Sequence, residues 1–163
     1  MGLEEEQSDS FIGISEDRLH HCLGVARKCY ALAKSEGYPK EFCQRMFTIG
    51  WNHDIGYEFA TNKAEHPAVS EMLLKSIGMT NDSRDSAKAL HAIRLHGCNT
   101  KIKSAEWRIL NTADMLIDSK GNEVTASQRL DDIAVRFGED SEEFKQAAEL
   151  CELLRLVERS AEC

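Results

Sequence analysis

Glycine residues divide the sequence into segments with helical periodicity, and this pattern constrains the fold more than any other feature. In the first segment, from Ser15 to Glu36, apolar side chains recur at spacings of three and four residues, as on one face of a helix. Ser15 can cap this helix, and Gly37 can end it. No alternating strand pattern of useful length is present, and the chain has only 2 prolines. The sequence therefore predicts an all-α fold.

About seven helices are expected in one bundle. They cover approximately residues 15–36, 39–53, 66–77, 82–96, 104–119, 125–137 and 140–157. The acidic residues 1–13 are predicted to be a disordered tail, which leaves 14–163 as a single helical domain. The two closing helices contain no histidine, so we expect them to serve packing or a homodimer contact rather than chemistry.

The net charge of −8 narrows the classes of partner. It argues against binding to a nucleic-acid polymer or to an anionic membrane, but a bound metal could still attract a phosphorylated small molecule. No apolar run approaches the length of about 20 residues that a membrane span needs, and the first residues lack signal-peptide features. The 6 cysteines form no CxxC pair, so we expect reduced thiols and a cytoplasmic location.

Histidine and aspartate residues provide the strongest functional signal. The doublet His53-Asp54 closes the second predicted helix and can offer one nitrogen and up to two oxygens to a single divalent ion. Further candidate ligands are His21 in the first helix, His66 at the start of the third, His96 at the end of the fourth and Asp114 in the fifth. Imidazole and carboxylate together suit iron, manganese, nickel, cobalt or zinc. We therefore predict one or two divalent transition-metal ions.

The other two histidines are weaker candidates. His20 lies about 100° around the helix from His21 and is expected to be solvated or to neighbour a ligand. His91 lies about 140° around the helix from His96, and it could contact substrate or serve as a ligand.

Basic residues near the candidate ligands could bind a substrate phosphate. Arg18 lies one helical turn before His21, where it could contact phosphate or hold a ligating carboxylate. Lys63 and Arg94 are further candidates for substrate binding. The two tryptophans, Trp51 and Trp107, stand among apolar neighbours on helices, so we expect core packing rather than base stacking.

Three stretches resemble the motifs of the HD-domain metal-dependent phosphohydrolases. Arg18 to Ala26 is similar to the family's Arg-x-x-His-x-x-x-Val motif, Trp51 to Gly56 matches its HDIG form, and Asn111 to Leu116 is similar to its late Ala-Asp motif. The resemblance spans about Arg18 to Gly121 and implies an HD-like helical fold. It also implies that His21, His53, Asp54 and Asp114 hold one metal. In two-metal members of the family, Asp54 would bridge and His66 and His96 would hold the second ion.

The resemblance implies hydrolysis of a phosphoester or phosphoanhydride by metal-bound hydroxide, with Asp54 as the catalytic residue. The expected substrate is a small phosphorylated molecule such as a nucleotide. Glu65 to Ala68 and Ala92 to Gly97 are similar to stretches of bacterial HD-domain enzymes that split diadenosine tetraphosphate. Those enzymes carry a Glu-Pro pair after the late aspartate, where this chain has Ile117-Asp118, so the substrate stays open.

Two other functions remain as alternatives to the enzyme. One is a non-catalytic HD domain that binds metal or nucleotide for sensing or regulation, and the other is a helical bundle that only mediates association. No serine or cysteine lies in a recognisable nucleophile motif, and no glycine-rich phosphate loop is present in the sequence. If the chain is a hydrolase, this absence favours direct attack by water.

Overall fold

The computed structural model describes residues 15–78 and 83–157. The predicted disorder of residues 1–13 and the predicted start of the fourth helix at Asp82 lie outside these residues, as does Cys163.

The described residues form an all-helical domain, as predicted. The helices are α1 Glu16–Ser35, α2 Lys40–Asn52, a short 3-10 helix Lys63–Glu65, α3 His66–Ser76, α4 Arg84–Arg94, α5 Ala105–Met115, α6 Ala126–Phe137 and α7 Glu142–Leu153. The only β contact in these residues is an isolated bridge between Ile117 and Glu123. None of the helices in this part of the chain is long and apolar enough to cross a membrane.

Side-chain caps explain why most of the helices begin where they do. Each of five helix N-termini has a hydroxyl that accepts a hydrogen bond from the backbone N–H three residues later: Ser15, Ser83, Ser104, Thr125 and Ser141. At α6, Gln128 completes a capping box by accepting from the N–H of Thr125. A cap of this kind stabilises a helix by about 1 kcal/mol.

The fifth helix ends earlier than the sequence suggested. It was expected to run to Ser119, but α5 stops at Met115 and the chain turns into the Ile117–Glu123 bridge. The Asp118 side chain causes this turn, because its Oδ1 accepts hydrogen bonds from the backbone N–H groups of Lys120 and Asn122, both at 2.9 Å.

The main core lies between α1, α2, α4 and α5. Trp107 is fully buried there, as predicted, and its indole N–H donates to the Leu95 carbonyl at 3.1 Å. The core-packing expectation is wrong for Trp51, which is 42% exposed at the end of α2. Gly50 lets α1 and α2 approach closely, because a Cβ there would lie 2.8 Å from the Cα of Ala26. This close approach brings the ends of the two helices that carry candidate ligands together.

A second, smaller apolar cluster joins α6 and α7 to the end of α5. Its buried members are Met115, Ala126, Ile133, Ala147 and Cys151. Four described cysteines are buried, as expected of small apolar side chains in a reduced protein, and Cys98 is half-buried. The α6–α7 hairpin therefore packs beside the C-terminal end of α5.

Candidate metal centre

All six predicted metal ligands converge at one end of the helical core. They are His21 in α1, His53 and Asp54 directly after α2, His66 at the start of α3, His96 just beyond α4 and Asp114 in the last turn of α5. Four of them are fully or almost fully buried: His21, His53, Asp54 and His96. Buried polar groups in such number are unusual and need compensating partners.

The four histidines share one orientation, because each Nδ1 lies against a backbone carbonyl oxygen. The distances are 2.8 Å for His21 to Asp118 and 2.6 Å for His53 to Gly50, His66 to Lys63 and His96 to Ile93. A carbonyl oxygen can only accept a hydrogen bond, so Nδ1 carries the hydrogen and donates it. The Nε2 lone pair of every ring is consequently directed into the site.

Helix ends supply these carbonyls. In His53, His66 and His96 the accepting oxygen belongs to the residue three positions earlier. The last carbonyls of a helix keep at least one free lone pair, so a histidine placed just beyond the end can bond to one of them. Local backbone geometry therefore orients three of the four rings.

The fourth ring, His21, is oriented from a distance in sequence by the loop after α5. The Asp118 carbonyl accepts from its Nδ1, and the turn closed by the Asp118 carboxylate fixes that carbonyl. The loop lies directly on α1, because a Cβ on Gly24 would be only 2.9 Å from the carbonyl oxygen of Gly121. The contribution of Asp118 to the site was not predicted, since no sequence pattern indicates a backbone carbonyl.

The first group of donor atoms comprises His21, His53, Asp54 and Asp114. Nε2 of His21 is 2.9 Å from Oδ1 of Asp114 and 3.5 Å from Oδ2 of Asp54. Nε2 of His53 is 3.4 Å from each of the same two oxygens. Two nitrogens and two oxygens thus surround a common point.

The second group comprises His66, His96 and the other oxygen of Asp54. The two Nε2 atoms lie 2.9 Å apart, and each is 3.1 Å from Oδ1 of Asp54. Asp54 therefore presents one carboxylate oxygen to each group.

The donor atoms of this centre fit a cation. A nitrogen lone pair that faces a carboxylate oxygen or a second lone pair is repelled unless a proton or a metal ion lies between them. Nε2 of His53 is buried and has no hydrogen-bond partner among the described residues. Donor atoms lie within 4.8 Å of one another in three overlapping sets, which are His21 with His53 and Asp54, His53 with His96 and Asp114, and Asp54 with His66 and His96, so the buried histidines and aspartates could hold a metal ion.

Both aspartates are held in the ionised form. Burial alone would raise the pKa of Asp54, but positive charge on the facing His53 and the hydrogen bonds that His66 and His96 donate when a proton occupies their Nε2 atoms outweigh it and hold that pKa well below its ordinary value. Burial would likewise raise the pKa of Asp114, and contacts with His21 and His53 lower it well below the ordinary value. The two carboxylates are therefore available as anionic ligands.

Of the two roles considered for Arg18, the structure shows contact with a carboxylate. Its Nη1 donates to Oδ2 of Asp54 at 2.7 Å, and its Cζ lies 3.6 Å from the centroid of the Tyr57 ring. The Tyr57 ring also meets His66 edge to face, with centroids 5.1 Å apart. Tyr57 was not predicted, because only its place in the turn after the His-Asp doublet links it to the site.

Of the remaining candidates, Lys63, Arg94, His20 and His91, only Lys63 lines the cavity. Lys63 lines the cavity beside the ligands and donates through Nζ to the Tyr57 carbonyl at 2.7 Å. Arg94 is not brought to the cavity, because its side chain is 60% exposed and lies 3.8 Å from Glu71. His20 is exposed, with Glu16 3.9 Å away, and His91 belongs to neither group of donor atoms.

A cavity of about 250 Å³ opens next to the donor atoms. One wall carries all the predicted ligands except His53, together with Arg18, Tyr57 and Lys63, and another wall comes from α6 and α7. The closing helices, which were expected to serve packing or a homodimer contact rather than chemistry, therefore also line the cavity. They reach the cavity because α5 ends at Met115, which lets the hairpin fold beside its last turn.

Comparison of the chain with protein-family models, curated proteins and solved structures found no match. The geometry of the site is therefore the principal guide to its function.

Proposed function

We propose that this protein is a metal-dependent phosphohydrolase that cleaves a phosphoester or phosphoanhydride bond of a small phosphorylated molecule, such as a nucleotide. One observation supports this proposal above others: four histidine Nε2 atoms and two ionised carboxylates converge beside a cavity. Such mixed nitrogen and oxygen sites suit the divalent metals that activate water.

The donor groups suggest how two ions would be held. His21, His53 and Asp114, with Oδ2 of Asp54, would bind the first ion, and His66 and His96, with Oδ1 of Asp54, would bind the second. Iron, manganese, nickel, cobalt and zinc are all compatible with these ligands. The resemblance of the three sequence motifs to HD-domain phosphohydrolases is consistent with this arrangement.

When bound, the metal would polarise a phosphoryl oxygen and lower the pKa of a coordinated water towards about 7. Asp54 is the proposed catalytic residue, because its carboxylate touches both groups and could orient the attacking water. Arg18 holds Oδ2 of Asp54 at 2.7 Å and so fixes the direction of that carboxylate. Lys63 lies at the cavity wall, where its ammonium could contact the phosphate.

For a phosphomonoester the reaction balances without a co-reactant. The oxygen of water bonds to phosphorus while the bond from phosphorus to the ester oxygen breaks. One proton of the water ends on the leaving alcohol, and the other stays on the released phosphate. A covalent intermediate on cysteine is disfavoured, because burial raises the pKa of Cys98, the cysteine that lines the cavity.

Phosphate release from a panel of nucleotides and simple phosphate esters, with added Mn²⁺ or Fe²⁺, tests the proposal. We expect turnover by the wild type and a loss of about 10²–10⁴-fold in Asp54→Asn, the range over which positioned acid–base groups contribute. Asp131→Asn is the matched control, because Asp131 is exposed on α6 and does not line the cavity. Equal turnover by wild type and Asp54→Asn would refute the proposed role of Asp54.

Absence of turnover by the wild type across the whole panel would refute the enzymatic proposal. If metal binding persisted in that case, the non-catalytic sensing domain would become the better description. If metal binding were absent as well, a bundle that only mediates association would remain.

A further inference from the structure

One face of α6 lines the cavity and combines cationic with apolar side chains. Arg129, Ile133, Arg136 and Phe137 all border the cavity. Their spacings of four, three and one place them within an arc of about 100° on the helix. None of them belongs to the metal centre, so these side chains could contact parts of a ligand that the metal centre does not reach.

Arg129 is a buried cation whose hydrogen-bonding capacity is largely unused. Its side chain is 12% exposed, and Nη1 donates a hydrogen bond to Oδ2 of Asp132 at 3.4 Å. Its Nε is buried and finds no hydrogen-bond partner in the described part of the chain. A guanidinium offers five donors in a planar fork that matches phosphate oxygens, and leaving such donors unsatisfied in a buried position is costly. An anion in the cavity would satisfy them.

The rest of this side of the cavity combines apolar side chains with Glu142, Glu143 and Gln146 of α7, which also border it. Ile133, Met115 and Leu150 are buried side chains that border it. Phe137 stands at the edge and is 44% exposed, with the Arg136 guanidinium 5.4 Å from its ring centroid. A flat apolar group placed in the cavity would cover the Phe137 ring and recover part of its hydrophobic free energy.

The size of the cavity limits what it can enclose. A volume of about 250 Å³ lies just below the range of about 300–1,000 Å³ that is typical of small-molecule sites. That space accommodates a phosphoryl group and one ring.

We propose that the α6 face selects the substrate. Arg129 binds oxygens of the phosphoryl group, and Ile133 with Phe137 receives an apolar ring attached close to the phosphate. The ligand class is therefore a phosphorylated compound with a single apolar or aromatic ring near its phosphate. This inference rests on the proposed hydrolase function and adds the part of the substrate that the metal centre does not contact.

Binding of two non-hydrolysable probes tests the inference independently of turnover. Phenylphosphonate and methylphosphonate share the phosphoryl group and differ only in the ring. We expect the Mn²⁺-loaded wild type to bind phenylphosphonate about tenfold more tightly in isothermal titration, in line with burial of one ring. Phe137→Ala should remove this preference, whereas Val135→Ala, on the exposed side of the same helix, should keep it.

Arg129→Gln should weaken binding of both probes by about tenfold or more, as expected for loss of a charged hydrogen bond. Arg129→Lys should recover part of that loss, which a purely structural role would not produce. Lys145→Gln on α7 is the control for charge, because Lys145 is exposed and does not line the cavity. If Arg129→Gln does not fold, Arg129→Lys and Phe137→Ala decide the question.

The outcomes separate this inference from the proposed function. Equal binding of the two probes by the wild type, or unchanged binding in both Phe137→Ala and Arg129→Gln, would overturn the inference even if the wild type releases phosphate from esters. Ring-dependent binding that needs Phe137 and Arg129, in a protein that hydrolyses no phosphate ester, would support the binding face and refute the hydrolase.

Discussion

Gly56, two residues after Asp54, should not tolerate even one added methyl group. A Cβ at this position would lie 2.4 Å from the backbone nitrogen of Ser70 and 2.7 Å from the carbonyl carbon of Val69. Both neighbours are backbone atoms of α3, so no side-chain rotation can relieve the contact. The loop that carries Asp54 would have to move away from α3.

The structure gives the expected size of the effect. Carbon atoms normally pack at about 3.5–4.0 Å, so relief requires a displacement of about 1 Å. Overpacking of this kind costs about 1–3 kcal/mol. The displacement also breaks the hydrogen bond from the Gly56 N–H to the Ser70 hydroxyl, 2.8 Å long and buried, which adds about 1 kcal/mol. Gly56→Ala should therefore lower the free energy of unfolding by about 2–4 kcal/mol.

Urea unfolding followed by circular dichroism measures this change, and the melting temperature should fall by about 4–16 °C. Because the shift moves Asp54 relative to His66 at the start of α3, Mn²⁺ affinity should also fall, by about 10–100-fold. Ser70→Ala is the matched control, since it removes the hydrogen bond and adds no bulk. If Gly56→Ala is no more destabilising than Ser70→Ala, the steric reasoning is wrong.

Two further predictions concern the metal and the buried thiols. Mn²⁺ at a free concentration one hundred times its dissociation constant should stabilise the fold by about 2.7 kcal/mol. A thermal-shift assay should show this gain reversed by chelator and absent in His53→Ala, and a gain that persists in His53→Ala would contradict the assignment of His53 as a ligand. Burial raises the pKa of Cys22 and Cys29, and it raises the pKa of Cys151 to about 11. Above about pH 8.5 these thiols therefore stay protonated in the folded protein but ionise in the unfolded protein. Under reducing conditions the free energy of unfolding should consequently fall as the pH rises above about 8.5. A free energy of unfolding that does not change between about pH 8 and about pH 10 would contradict this reasoning.

The sequence was sufficient to predict the helices because their signals are local. Ser15 caps the helix that it was expected to cap, and the apolar spacing in α1 includes Ala26 and Ala33, which are buried in the core. The end of α5 was misplaced, because the turn that stops it depends on hydrogen bonds made by the Asp118 side chain after the helical pattern has ended. Helix propensity gives no information about such a turn.

The ligands of the candidate site could be predicted from the sequence, but the residues on the opposite wall of the cavity could not. Histidine and aspartate are recognisable as ligand types, and all six predicted ligands come together. The sequence could not show that α6 lines the cavity, because Arg129 and Phe137 reach it only through packing of the hairpin against α5. Arg94 shows the converse, since a basic residue close to His96 in sequence is directed to Glu71 on α3.

The histidine–carbonyl contacts have a consequence for how the site responds to mutation. In three of the four rings the accepting carbonyl belongs to the same short segment as the histidine. A helix that shifts therefore carries its ring along in an unchanged orientation, and only the distance between donor atoms grows. Substitutions at contacts between helices should therefore lengthen the distances between donor atoms gradually. Loss of the Asp118 turn should instead rotate the His21 ring and remove its Nε2 from the set of donor atoms.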